Sequence, residues 1–151
     1  MELAGTGLRP VLIDSSLWIE YYHPRGDPSV RSAVAGAVAA DQVVTVSIVV
    51  AEVAQGARTK RDLDLILGDL GACPMVSLDA EVTRVAASLL FALGRAGSRA
   101  PVSDALIAAA ALVAGAELWH LSDEHYERLG AVAVEALEGR SLFIRSFARK
   151  A

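Results

Sequence analysis

Apolar and polar positions along this chain fall into blocks whose period switches between strand-like and helix-like. Residues 10–13 are a short apolar run ending at Asp14, the pattern of a buried strand. Residues 15–22 then take helical spacing, with Ser15 or Ser16 as N-cap. Residues 23–28 carry Pro24, Gly26 and Pro28 and predict a turn. Residues 29–40 predict a second helix, so the pair forms a helical hairpin. The β-branched stretch 42–46 reads as a buried strand. Ser47 caps a helix reaching Gly56. Residues 59–70 form another, with Leu63, Ile66, Leu67 and Leu70 on one face.

The second half continues the alternation. A short strand at 74–77 precedes a long helix at 79–93 and a Gly/Ser/Pro loop at 95–101. An Ala-rich helix at 103–114 ends at Gly115 and leads into a strand at 117–121. A short helix at 123–129 and a last strand at 131–135 complete the series. Such alternation implies an α/β fold: a mostly parallel central sheet of about four to five strands with helices on both faces.

Composition narrows the picture. At 151 residues the chain has the size of one domain, with a core at about 10–136 and a basic tail at about 140–151. Hydrophobic residues make up 54% and charged residues 21%, which excludes a disordered chain. The 28 alanines favour helix, and 5% aromatics argue against an all-β sandwich. The net charge of −4 argues against a general nucleic-acid coat but not against a nuclease whose acids gather at one metal site. One cysteine, Cys73, rules out an internal disulfide framework, so a cytoplasmic protein is expected. The longest apolar run, at 105–116, has 12 residues against the roughly 20 of a membrane span. Residues 1–10 carry Glu2 and no apolar segment of the secretory type.

In open parallel sheets ligands bind beyond the carboxyl ends of the strands. Asp14 follows the first strand and Asp123 the strand at 117–121. Glu52 lies about one turn into the helix after the second strand, and Asp104 opens the helix after the 95–101 loop. Each has a plainer role available: Asp14 and Asp123 as helix caps, Asp104 as a first-turn carboxylate favoured by the helix dipole. Glu52 is harder to explain that way. Its neighbours Ile48, Val49, Val50, Ala51 and Val53 are apolar, and a carboxylate buried among them needs a partner or a cation. Convergent carboxylates repel one another unless a cation neutralises them. Oxygen ligands suit Mg²⁺ or Mn²⁺. Zinc does not fit, because His23, His120 and His125 lack a ligand spacing with Cys73. A Mg²⁺-loaded acidic cluster suits phosphodiester chemistry.

These motifs resemble those of PIN-domain ribonucleases, in particular the VapC-type toxins of type II bacterial toxin–antitoxin pairs. Val11-Leu12-Ile13-Asp14-Ser15-Ser16 resembles the opening strand, Asp and following Ser/Thr. The stretch 47–56, with Glu52 and Gly56, resembles the second acidic motif. The stretches 104–112 and 118–129, with Asp104, Asp123 and the aromatic Tyr126, resemble the third and fourth. One departure is Leu121, two before Asp123, where that family often has a small polar residue; Ser122 is adjacent and His120 could supply a polar group.

The resemblance implies a PIN-like three-layer fold. It implies that Asp14, Glu52, Asp104 and Asp123 bind one or two Mg²⁺ or Mn²⁺ ions, and that metal-activated water attacks RNA, leaving 5′-phosphate and 3′-hydroxyl ends. Ser15 and Ser16 would orient Asp14 or meet a phosphate. Arg58 with Lys60 and Arg61, Arg99 with Arg95, and the tail residues Arg140, Arg145, Arg149 and Lys150 are candidate RNA contacts or simply solvated surface. A cognate antitoxin would clamp the hairpin at 17–40 and the helix at 59–70. A homodimer is usual in that family, and the mean hydropathy of +0.42 agrees with extra surface to bury. Trp18, Tyr21 and Tyr22 fit core or partner contact better than base stacking.

Two further classes fit an acidic pocket. One is a non-catalytic receiver-like signalling module. Such modules place a Lys after a late strand, and none follows 117–121 or 131–135. The other is a PIN fold kept only as an RNA-binding scaffold, which retention of all four carboxylates disfavours.

Overall fold

A computed structural model describes residues 7–149; Glu2 and Lys150, named above, lie outside them. The chain order is β1 (Val11–Ile13), α1 (Ser15–Tyr22), α2 (Pro28–Ala39), β2 (Val43–Val44), α3 (Ser47–Gln55), α4 (Lys60–Gly71), α5 (Ala80–Arg95), α6 (Val102–Ala114), β3 (Glu117–Leu121), α7 (Glu124–Ala136) and β4 (Phe143–Phe147). The strands form one sheet in the order β2-β1-β3-β4 with every pairing parallel. The α/β reading with a parallel sheet therefore holds.

Topology sets where a ligand can go. The chain moves one way across the sheet from β1 to β2 and the opposite way from β3 to β4. Right-handed crossovers then put α1–α2 and α7 on opposite faces. The contacts agree, with α1 packing on α2 and α3, and α7 on α5 and α6. The strand order reverses between β1 and β3, which opens a crevice beyond their carboxyl ends.

The core explains why these segments settle there. Val11, Leu12 and Ile13 are all buried, as are Leu118 through Leu121 on β3. Beyond its first turn helix α6 is apolar all round and buries Ala105 and Ile107–Ala111, so it is an interior helix, with small residues permitting close approach. Gly115 ends it in the left-handed conformation, φ 63°, which glycine adopts at no steric cost. Trp18 is buried and stacks on Tyr22, so the aromatic cluster of α1 serves the core rather than open stacking.

Four elements depart from the sequence expectation. Residues 123–135 form one continuous helix, α7, not a short helix and a strand: Tyr126, Leu129 and Ala133 are buried at helical spacing, which outweighs the apparent alternation of Val132 and Val134. The basic tail contains a strand: β4 pairs with β3 over five residues, and Arg145 lies over the Trp119 and Phe147 rings. The strand expected at 74–77 reduces to one bridge between Thr45 and Met75. On α4, Ile66 and Leu70 are buried but Leu67 is exposed. Two smaller differences concern caps: α1 begins at Ser15 and is capped by Asp14, not by Ser15 or Ser16, because the Asp14 carboxylate accepts the Ser16 N–H; and Ser47 is the first residue of α3, whose cap position is Val46 with no side-chain cap bond.

The predicted turn between α1 and α2 rests on Gly26. A Cβ there would overlap the backbone carbonyl of Glu20. Backbone cannot yield as a flexible side chain does, so Gly26→Ala is expected to destabilise the protein by about 2 kcal/mol. The midpoint of urea unfolding would report it. An unchanged midpoint would show that the hairpin can open there.

Candidate active site

The crevice is lined from both sides. Asp14 follows β1 directly, is 5% exposed, and its backbone N–H bonds to the Trp119 carbonyl of β3 at 2.9 Å. It caps α1, accepting from the Ser16 N–H at 3.4 Å and the Ser16 hydroxyl at 2.8 Å. The Tyr126 hydroxyl donates to its other oxygen at 2.7 Å. The same hydroxyl lies 3.4 Å from Asp104 Oδ1. Burial, followed by the carboxylates of Asp14 and Asp104, pushes the Tyr126 phenol far above its ordinary range, so it remains a donor.

Asp104 sits in the first turn of α6 and Asp123 caps α7. His125 joins them: Nδ1 is 3.0 Å from Asp104 Oδ2 and 3.1 Å from Asp123 Oδ1. Asp104, Asp123 and His125 thus present three ligand atoms within 4.8 Å of one another. Glu52 approaches from α3, with Oε2 accepting from the Ser15 hydroxyl at 3.4 Å. Its other oxygen, Oε1, is buried without a hydrogen-bond partner.

The electrostatics is that of a cluster short of positive charge. Burial, then the neighbouring Asp14 and Asp104, raises the pKa of Glu52. Burial, then Asp123 and Asp14, raises that of Asp104, against the lowering effect of His125. An orphaned buried carboxylate oxygen beside mutually repelling acids fits a divalent cation. The simple capping roles and the convergence coexist: Asp14 and Asp123 cap their helices and still turn oxygens to the crevice.

The turn carrying Asp123 is fixed by residues that sequence reasoning did not single out for it. His120, fully buried, accepts the Asp123 N–H on Nδ1 at 3.0 Å, leaving Nε2 to face Glu127 at 3.2 Å. Ser122 takes a left-handed conformation, φ 50°. Its N–H and hydroxyl both reach the Phe147 carbonyl of β4, at 2.9 and 3.0 Å, and Arg149 N–H returns to its hydroxyl at 3.0 Å. Beside this turn lies a cleft of about 290 Å³ lined by Ser16, Ser122, Asp123, His125, Arg128 and Arg149. Arg128 Nε is buried there with no partner.

Of the sequence-predicted residues, Asp14, Glu52, Asp104, Asp123, Ser15 and Ser16 are drawn together. Arg58 is not. It lines a separate groove of about 390 Å³ with Ile19, Tyr22, Val53 and Leu65. Arg99 stands exposed in the loop before α6, and Lys60 pairs with Asp64. His125 is missed as a site residue by sequence reasoning, and Tyr126 is read there as part of the fourth motif without a role in the site. Their positions two and three after Asp123, in the first turn of α7, are the signal that could have found them.

Comparison with known proteins decides the family. The PIN domain pattern matches residues 11–132. The chain belongs to the PIN-domain family. This PIN domain is 28% identical to Ribonuclease VapC18 of Mycobacterium tuberculosis (strain ATCC 25618 / H37Rv) over 130 residues, 83% of this chain and 91% of that protein. It also superposes on a chain of the VapBC2 structure from Rickettsia felis bound to a promoter DNA fragment. There the TM-score is 0.69 and the identity 18%, covering 91% of this chain and 98% of the other. For FitAcB of Neisseria gonorrhoeae the TM-score is 0.65 and the identity 20%, covering 82% and 94%. The likeness to VapC-type PIN proteins read from the four acidic motifs is borne out.

Tyr126→Phe isolates the central hydroxyl of this PIN domain. Asp14 would lose a buried donor, and a cost of about 1–2 kcal/mol is expected. A thermal melt at neutral pH would measure it. No loss would mean that another donor replaces the phenol.

Proposed function

We propose that this PIN domain is a Mg²⁺- or Mn²⁺-dependent endoribonuclease acting as the toxin of a toxin–antitoxin pair. The observation that supports it most is the gathering of Asp14, Glu52, Asp104 and Asp123 at the strand-order reversal. There they repel one another, and Glu52 Oε1 has no partner. Those four carboxylates would hold the ion. When bound, a divalent ion activates water and offsets charge on a phosphodiester.

The chain's own residues do the rest. Ser16 and Tyr126 hold both oxygens of Asp14 in place, and Ser15 orients Glu52. Arg128 and Arg149, lining the cleft beside Asp123, are suited to receive an RNA phosphate; they replace Arg58 and Arg99 as the nearest basic candidates. The antitoxin would seat on the groove where Ile19 and Leu65 are exposed, and a second copy could cover Phe91, 73% exposed on α5. Among the described residues no helix is long and apolar enough to cross a membrane, compatible with a cytoplasmic toxin.

The test is cleavage of total RNA by the purified chain with Mg²⁺ or Mn²⁺, beside EDTA and Asp14→Asn controls. Discrete fragments that vanish in both controls are expected. Metal binding without any cleavage, in protein free of antitoxin, would favour the non-catalytic scaffold.

A further inference from the structure

His125 is the one imidazole whose ring nitrogen stands between two of the carboxylates in the crevice. Its Nδ1 lies 3.0 Å from Asp104 Oδ2 and 3.1 Å from Asp123 Oδ1. In an octahedral ion with bonds of about 2.1 Å, adjacent ligand atoms are about 3.0 Å apart. The spacing therefore matches two ligand-to-ligand edges of one coordination sphere. The backbone also fixes the carboxylate beside the ring: the His125 backbone N–H donates to the same Asp123 Oδ1 at 2.8 Å, holding it against the first turn of α7.

We infer that His125 supplies a nitrogen ligand to the ion held by Asp104 and Asp123, and that it makes the site select a first-row transition ion such as Mn²⁺ over Mg²⁺. The inference rests on the metal-site reading above but adds a ligand and a selectivity to it. Mg²⁺ strongly prefers oxygen, whereas imidazole gains affinity along the transition series. With its proton on Nε2, the neutral ring offers the Nδ1 lone pair to a cation entering between the carboxylates. The plainer alternative is that Nδ1 only donates a hydrogen bond to them and leaves when the ion arrives.

Mn²⁺ and Mg²⁺ serve as the probes, with the full chain as wild type, His125→Asp and His125→Ala. His125→Asp keeps a ligand but makes it oxygen. Calorimetric titration should show the ratio of Mn²⁺ to Mg²⁺ affinity falling about tenfold in both variants. Pulsed electron paramagnetic resonance of the bound Mn²⁺ should show ¹⁴N coupling in the wild type and none in His125→Asp. His120 would not mimic the signal, because its Nδ1 is occupied by the Asp123 N–H. The wild-type spectrum needs no variant, so misfolding of a variant leaves the test standing. Bound Mn²⁺ without ¹⁴N coupling, or an unchanged affinity ratio, overturns the inference while leaving the ribonuclease reading intact. Nitrogen coupling without RNA cleavage would do the reverse. No binding of Mn²⁺ would overturn both.

Discussion

Asp104→Asn is expected to lower RNA cleavage by about 10³-fold or more while leaving the fold in place. Asp104 is the carboxylate on which the other groups of the crevice converge: His125, Tyr126 and the charges of Asp14 and Asp123 all act on it. Asparagine keeps the shape and one acceptor oxygen for Tyr126 but removes the charge that would hold a divalent ion. A thousandfold loss is about 4 kcal/mol of transition-state stabilisation, the size expected for an ion's contribution. The buried face of α6, Ala105 and Ile107–Ala111, is unchanged and a repelled charge is removed, so the thermal midpoint of the ion-free protein should not fall. Single-turnover cleavage of a defined RNA, beside a circular-dichroism melt, checks both halves. A variant within tenfold of wild type would remove Asp104 from the chemistry.

The second large effect concerns stability, and its sign follows from the same repulsion. Glu52 and Asp104 have folded-state pKa values raised above their ordinary ones. The folded protein therefore holds their protons more tightly than the unfolded chain does. Their contribution is fully present below about pH 4, the ordinary carboxylate range, and is lost as pH rises through the raised values. In EDTA, the contribution of this pair should thus make the protein melt at lower temperature at pH 7 than at about pH 4. A divalent ion should reverse that difference at pH 7, because it binds the deprotonated cluster. At an ion concentration a hundred times the Kd, linkage gives about 2.7 kcal/mol. For a chain of this length that is a rise of about 8 °C. Calorimetric melts at both pH values, with and without Mn²⁺, measure it, and the Glu52→Gln and Asp104→Asn variants should each flatten the response. An ion-free protein whose melting is indifferent to both substitutions would show that the carboxylates do not feel one another.

Much of the fold and of the crevice is legible in the amino-acid sequence, for reasons that differ by element. Asp14, Glu52, Asp104 and Asp123 each sit at the start of a helix or one turn inside it, so local pattern and strand order suffice to bring them to one crevice. For His125 the only sequence signal is its place two residues after Asp123, because the packing of α7 on α5 and α6 is what brings its ring to Asp104. Residues 131–135 mislead because alanine and valine alternate there with the period of a strand, whereas only Ala133 among them is buried, at helical spacing from Tyr126 and Leu129. Residues 143–147 are hidden by composition: Arg145 makes the stretch look like a basic tail, yet its charge is spent over the rings of Trp119 and Phe147. The guanidinium groups are placed by tertiary structure and not by their sequence neighbours. Sequence proximity to Glu52 or Asp104 puts Arg58 and Arg99 forward, whereas Arg149, remote in sequence, arrives through β4.

The dependence of the Ser122 turn on the Phe147 carbonyl orders events during synthesis. A ribosome delivers residues from the amino end, and β3 and the start of α7 emerge well before β4. Until Phe147 and Arg149 have emerged, nothing from that strand secures Ser122 in its left-handed conformation. The bonds that brace the turn beside the last carboxylate therefore close only once β4 is made, after His120 and the His125 N–H already hold Asp123 itself. The rim of the crevice is thus among the late features of the fold to be braced, and a chain terminated before Phe143 would lack the bonds from Ser122 to Phe147 and from Arg149 to Ser122.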